Sequence, residues 1–328
     1  MRSRKKLIDA AAIAVVAGAA CLIAVTACAQ TFPSKPIRLI VPYPPGGGTD
    51  FVARVVALKL PEVIGQNVVV DNRAGAAGLV GTELAARAPA DGYTLLLVDS
   101  SLPINVSYYK NAKYDAIKDF APITDVADTP YLLVVGQGSP YQSVRDLISA
   151  AKAQPGKINF GSGGNGSGSH LTGEFFQLRA GVKLTHIPYK GLGLALSDVI
   201  AGQIQTTFTS APAAMGLIKS GRIKPLAVAS AKRIAPLPEV ATFAEQGVKD
   251  VVVTNWYGIA SVGGTPKLVL DTLHAALLRV IAMPDVKERL TSGGLEPAPM
   301  SQEAFRKLIA EEVTRWAAVV RDAHIKPE

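Results

Sequence analysis

Cysteine is nearly absent. The 328 residues hold two, Cys21 and Cys28, and both precede residue 30. A chain matured beyond that point has no thiol, so disulfides, cysteine-ligated metals and cysteine nucleophiles are excluded. Histidine is scarce as well: His170, His186, His274 and His324 show no metal-ligand spacing. There is no H-E-x-x-H, no G-x-S-x-G elbow and no Gly-Lys-Ser/Thr loop ending. Ser149-x-x-Lys152 has a β-lactamase-like spacing, but beside Ala150 and Ala151 it reads more simply as a solvated helix face. Lysine and arginine form no extended run after Lys6, so the clustered basic face that phosphate backbones need is missing. No catalytic residue, metal, cofactor or nucleic-acid partner is expected.

What is present at the start is an export pattern. Arg2, Arg4, Lys5 and Lys6 precede an apolar stretch from about Ala10 to Val25, and Ala27-Cys28-Ala29 supplies small residues at signal-peptidase spacing. The apolar run is short for a bilayer span and stops at a cleavage-like site rather than at basic residues. Residues 1–29 are therefore expected to be a signal peptide, with periplasmic export of the mature chain. Val25-Thr26-Ala27-Cys28 also resembles a lipoprotein box, which leaves lipidation of Cys28 as the alternative. Removing Arg2, Arg4, Lys5, Lys6 and Asp9 lowers the net charge from +8 to +5. The remaining length, about 300 residues, buries a core without disulfides and suits two domains.

Short β-rich runs alternate with Ala-rich helical ones, the signature of α/β architecture. The strand Ile37–Val41, the loop Pro44–Asp50 and the helix Phe51–Leu60 open the series. Strand Asn67–Val70, the loop 72–78 and a helix ending near Arg87 follow, and strand Tyr93–Val98 runs into Asp99-Ser100-Ser101. The same plan returns after strand Ile158–Phe160: loop Gly161–Ser169, helix His170–Arg179, strand Lys183–Ile187, loop Tyr189–Gly191, helix Leu194–Ala201 and strand Gln203–Phe208, ending at Thr209-Ser210. Gly92 matches Gly202 and Ser100 matches Ser210, each 110 residues apart. Two equivalent β-loop-α units are what a bilobal cleft needs, since each offers a loop at the carboxyl ends of its strands. Thr129–Val135 is expected to cross between lobes, and a return strand to lie between Leu226 and Ile259. The tail reads as bracing helices, 267–281, 285–291 and 301–323, with Ser301 as an N-cap. Trp256 and Trp316 read as packing residues.

The glycines of Pro45-Gly46-Gly47-Gly48-Thr49-Asp50 allow a ligand close to the backbone. A helix begins just beyond, with free N–H groups and the positive end of its dipole, and Thr49 or Asp50 is a natural N-cap. Ser162-Gly163-Gly164-Asn165-Gly166-Ser167-Gly168-Ser169 repeats that chemistry and adds hydroxyls. Ordinary tight turns explain one such loop equally well; two at equivalent positions favour a carboxylate site that needs no arginine. Gly161–Gly166 also fits G-x-G-x-x-G, but the next strand ends at His186-Ile187-Pro188-Tyr189-Lys190, without the acidic residue a dinucleotide ribose requires.

Tyr43-Pro44-Pro45-Gly46-Gly47-Gly48-Thr49-Asp50 resembles the first ligand loop of Bug-type receptors, the solute-binding proteins of tripartite tricarboxylate transporters. The segments 71–75, 90–96, 186–191 and 255–258 are similar to theirs too. The resemblance implies an α/β, two-lobed periplasmic binding protein fold (type II-like). Each lobe would be a mixed sheet flanked by helices, with a helical C-terminal segment. Residues 30–130 plus about 228–328 would form lobe 1, and about 131–227 lobe 2. Loops 44–50 and 161–170 would hold one ligand carboxylate through backbone amides and ordered water, with Phe51 facing the ligand. The expected contact set is Tyr43, Pro45, Gly46, Gly47, Gly48, Thr49, Asp50, Phe51, Ser100 and Ser101 from lobe 1. Lobe 2 would add Ser162, Gly163, Asn165, Gly166, Ser169, His170, Tyr189, Lys190, Thr209 and Ser210. Many such receptors end the second-lobe strand with an acidic residue near this Thr209; its neutrality argues against an amino-acid ligand. The implied partners are a small organic carboxylate and integral-membrane permease subunits, with the receptor itself a monomer. A sensor module presenting the same ligand to a signalling partner is the alternative, and an enzyme a distant third.

Overall fold

The run Ile37–Val41 forms β1, with four of its five residues buried, because it lies between two parallel neighbours and has no solvent face. Those neighbours are β2 (Val68–Asn72) and β3 (Thr94–Asp99), in register at Leu39↔Val70 and Leu39↔Leu95. The computed structural model describes residues 32–322 and 325. The export segment 1–29, Cys28 and His324 therefore lie outside the described residues.

The first βα connection leads to α1 (Gly48–Ile64), and a short turn at Ala76–Gly78 leads to α2 (Leu79–Ala86). β3 passes directly into α3 (Ser101–Tyr108), a helix the sequence pattern hides because Pro103 and β-branched residues crowd eight positions. The crossing strand, expected at 129–135, is the much longer β4 (Phe120–Gly136). Its first part pairs antiparallel with β9 (Thr254–Val262), with bulges between Pro122 and Thr124 and between Asp125 and Ala127. It also takes the short β10 (Glu296–Pro297) at Asp128↔Glu296. Its second part pairs with β7 (Thr206–Ser210) and β8 (Ile223–Val228), in register at Leu133↔Phe208 and Leu133↔Ala227. β5 (Asn159–Ser162) and β6 (Thr185–Pro188) complete that second half in parallel.

Two sheet halves thus share one strand, which makes the fold two-lobed. The strand order is β2-β1-β3-β9-β4-β7-β5-β6. The single return strand expected from the sequence is two, β8 and β9, and the chain between them recrosses beside β4. There Tyr131 N donates to Val253 O (3.3 Å), Ala229 N to Tyr131 O (2.8 Å) and Val253 N to Ala229 O (2.9 Å).

Helices α4 (Val144–Ala153), α5 (Gly168–Ala180), α6 (Leu192–Ile200) and α7 (Ala211–Lys219) flank the second half. The tail forms α8 (Lys267–Ala282), α9 (Pro284–Ser292) and α10 (Gln302–Asp322). Ser301 caps α10, its Oγ accepting from Ala304 N at 3.1 Å. The buried positions Phe305, Ile309, Glu312, Trp316 and Val320 recur at helical spacing along α10. Phe305 and Ile309 pack with Trp256 and Phe120, whereas Trp316 and Val320 join the core containing Phe160 and Phe208. One tail helix therefore braces both cores, and both tryptophans are packing residues. Trp316 Nε1 donates to Glu312 Oε2 (2.6 Å), which satisfies an otherwise orphaned donor in the core.

Candidate ligand-binding site

The first glycine-rich loop leaves β1 through Pro42 and turns at Gly46, whose φ of 92° is open to glycine. Gly47 is the N-cap of α1 and no side chain caps that end. Asp50 does not cap as expected; it braces the loop. Its Oδ2 accepts from Gly46 N (3.1 Å) and Arg54 Nε (2.8 Å), and its Oδ1 from Asn72 Nδ2 (3.0 Å). Burial would raise this carboxyl, but the bonds from Arg54, Asn72 and Gly46 outweigh it and hold it below the usual carboxylate range. Each helical residue turns the chain by 100°, so Gly48 and Thr49 face inward while Asp50 and Phe51 turn away. Phe51, expected to face the ligand, lies with its ring against Gly293 at the end of α9.

The second loop is held from within. Ser167 is the N-cap of α5, its Oγ accepting from His170 N (3.3 Å) and donating to Gly164 O (2.7 Å). Ser169 Oγ accepts from Gly163 N (3.0 Å), and Ser162 Oγ from Gly164 N (3.1 Å). Behind them His170 Nδ1 accepts from Gly166 N (3.1 Å), and His186 Nε2 lies 2.6 Å from Ser162 Oγ. The two imidazoles stack at 3.9 Å, inclined by 16°. Burial depresses both, His170 to about 3, helped by its neighbour His186, and His186 to about 4. Both rings are thus neutral at pH 7.

Between the loops lies a cleft of about 490 Å³. Four helix N-termini reach it: Gly47–Thr49 of α1, Ser167–Ser169 of α5, Gly191–Gly193 of α6 and Ser210 at the start of α7. Each brings unpaired N–H groups and about half a unit of positive charge. Two tyrosines complete the walls. Tyr257 stands opposite Asp99 in the β3–β9 ladder, and Tyr131 opposite Ser210 in the β4–β7 ladder. The arrangement is pseudo-symmetric. A side chain at Gly48 would strike Tyr257 Oη and Ser210 Oγ; one at Gly168 would strike Tyr131 Oη and Ser100 Oγ. Burial raises both tyrosines, so both remain hydroxyl donors. Ser100 Oγ donates to Asn255 Oδ1 (2.5 Å). Ser210 Oγ, beside Tyr257, is buried without a hydrogen-bond partner of ordinary geometry.

The structure thus gathers Tyr43, Pro45, Gly47, Gly48 and Thr49 with Gly163, Ser169 and Ser210 around one cleft. Gly46 is exposed on the loop outside the lining, whereas Ser100 and Ser101 are buried behind the wall, as are Ser162, Gly166 and His170, which hold the second loop. Thr209 is buried within β7, so its neutral side chain does not face the cleft. Asn165, Tyr189 and Lys190 border a second, more open hollow of about 930 Å³ with Ala74–Gly78, contiguous with the first through Tyr43, Pro44 and Gly163. Ser167 and Gly168 lie within the expected second loop but outside the expected contact set; Asp99, Tyr131, Asn255, Tyr257 and the start of α6 also line the cleft without having been named in that set. The available signals were Asn255–Gly258, a segment resembling those of Bug-type receptors whose tyrosine enters the cleft, and the strand end at Asp99. Among the described residues no cluster of three His, Cys, Asp or Glu could hold a metal.

A two-lobed α/β frame with helix N-termini converging between its halves defines a solute-binding protein of the periplasmic binding class. The profile of the tripartite tricarboxylate transporter family receptor matches residues 52–325, and the chain belongs to that family. BugT of Bordetella pertussis is 39% identical over 306 residues, covering 93% of this chain and 94% of BugT. R. palustris Rpa4515, solved with adipate, is 34% identical with a TM-score of 0.88, covering 90% of this chain and 100% of that one. MatC of Rhodopseudomonas palustris, solved with bound malate, is 28% identical with a TM-score of 0.84, covering 88% and 100%.

Proposed function

We propose that this chain is an extracytoplasmic receptor that captures a small organic carboxylate between its lobes and delivers it to the membrane subunits of a tripartite tricarboxylate-type transporter. The observation that carries the reading is the convergence of four helix N-termini on a cleft whose walls, among the described residues, contain no lysine or arginine. Backbone N–H groups and hydroxyls are left to neutralise an anion, which is the chemistry helix N-termini supply. Adipate and malate in the two related structures are anions of this kind. The chain acts by binding and release, without catalysis. Residues 30–130 with about 228–328 form one lobe and about 131–227 the other, so the ligand lies where β4 and the return segment cross. Residues 1–29 direct export and are removed near Ala29, which places the receptor in the periplasm; a lipid on Cys28 is the competing fate.

The test is thermal unfolding of the mature protein against carboxylic acids and their uncharged amides. An acid at 100 times its Kd adds about 2.7 kcal/mol of stability, and its amide adds none. Stabilisation by amides as strong as by acids, or by no acid at all, would sink the anion site. For delivery, uptake of the stabilising acid is expected to vanish when either this chain or the membrane subunits are deleted.

A further inference from the structure

The cleft that receives a carboxylate also contains a carboxylate of its own. Asp99, at the end of β3, is the single charged side chain in its wall among the described residues. Its Oδ1 accepts from Ser101 N (3.0 Å) and from Ser101 Oγ, and its Oδ2 from Thr49 Oγ1 (3.2 Å). No cation is among these partners. An Asx turn leading into α3 explains the bond to Ser101 N, but Asn would make that turn equally well without burying a charge. Thr49 commits its hydroxyl proton to Asp99, so toward the cleft its oxygen can only accept. Burial pushes the Asp99 carboxyl up despite the donors around it, the behaviour of an anion short of a counter-charge. A plain acid would bring a second negative charge into the same cleft, where helix N-termini but, among the described residues, no cationic side chain offset the two.

Resting on the carboxylate-receptor reading, we infer that the ligand carries an ammonium group close to its carboxylate, the carboxylate lying at the helix N-termini and the ammonium at Asp99 and Thr49. The ligand class is then a zwitterionic amino acid. The neutral Thr209 does not oppose this, because the acidic partner lies at the equivalent strand end of the other lobe, 110 residues earlier.

Calorimetry on the mature chain with three matched sets decides: propionate, lactate and alanine; succinate, malate and aspartate; adipate and 2-aminoadipate. In the set whose length fits, the amino acid is expected to bind at least tenfold more tightly than its unsubstituted or hydroxylated partner. Asp99→Asn is expected to weaken the amino acid at least tenfold and to strengthen the plain acid. A plain or hydroxy acid that equals or exceeds its amino partner on the wild-type protein overturns the inference and leaves the carboxylate receptor standing. Absence of binding by every acid overturns both. If Asp99→Asn does not fold, the wild-type ranking by itself supports or overturns the inference.

Discussion

Loop 44–50 of the first lobe is steadied from outside, by Asp50 reaching back to Gly46 with Arg54 and Asn72 behind it. Loop 161–169 of the second lobe is steadied from inside, by Ser162, Ser167, Ser169 and His170 bonding to its own backbone. The two loops occupy equivalent places and present equivalent helix N-termini, yet side chains that look like ligand contacts serve different ends. Hydroxyls of the second loop hold a shape; in the first loop the backbone is left bare and an acidic residue outside the cleft holds it. A glycine-serine string is therefore evidence for where a ligand approaches, and weaker evidence for which atoms touch it.

The sharpest way to break the equivalence is to fill the two glycines that meet tyrosines. Gly48→Val and Gly168→Val would each drive a side chain into a tyrosine hydroxyl and a serine from the other lobe. Both are expected to reduce affinity for a screened acid at least a hundredfold, and to destabilise by about 1–3 kcal/mol through overpacking. Gly47→Val is the control: no atom lies within 4 Å of a Cβ there. It should abolish binding with only the modest stability loss of a poorer N-cap and no overpacking, since the valine occupies cleft space rather than packed wall. Calorimetry and urea unfolding on the three variants separate these outcomes. Loss of binding in Gly48→Val alone would make the site one-sided.

Acid distinguishes the loops next. His170 and His186 are depressed to about 3 and about 4, so the folded state binds protons less readily than the unfolded chain with its ordinary value near 6.5. Their contribution is fully present above about pH 6.5 and is lost as pH falls from there toward the folded values. The loss is at most about 1.4 kcal/mol per pH unit for each ring. Glu174, 3.7 Å from His170 Nε2, offsets part of it lower down, because burial raises its carboxyl. Asp50 of the first loop is held low and stays ionised through the same window. Urea midpoints at pH 7.5 and 5.0 should fall more than in a His186→Gln variant, and hydrogen exchange should quicken in 161–170 before 44–50. Equal quickening in both loops would refute a histidine origin.

What was legible in the sequence follows from range. Loops 44–50 and 161–169 are local, and their glycines, following strand and preceding helix, announce a backbone left open to a ligand. The α/β alternation and the tail helices are local too, and Ser301 marks a helix start. Tyr131, Asn255, Tyr257 and Asp99 are not local. Tyr257 reaches the cleft because β9 pairs antiparallel with β3, which sets it against Asp99 across 158 positions of sequence. A slip of one residue would have turned it to the other face. Phe51 was misplaced for the opposite reason: proximity along the chain suggested the cleft, while helical rotation carried the ring to Gly293. Helices α3 and α7 were obscured by prolines at their starts, which first turns accept readily.

The smallest expected effect bears most directly on the comparison. Ser167 lines the cleft, yet its Oγ already accepts from His170 N, donates to Gly164 O and lies 2.9 Å from Ser169 Oγ. If it serves the loop, Ser167→Ala removes an N-cap and costs about 1 kcal/mol of stability. Affinity would then fall only severalfold, through a looser α5 N-terminus. Ser167→Thr keeps the capping oxygen and is expected to recover most of that stability. Thr49→Ala is the matching change in the first lobe: it removes a bond to Asp99 rather than a cap, so stability should move less and affinity more. Should Ser167→Ala leave the urea midpoint unchanged while affinity drops tenfold, its hydroxyl touches ligand, and the two loops would work in the same way after all.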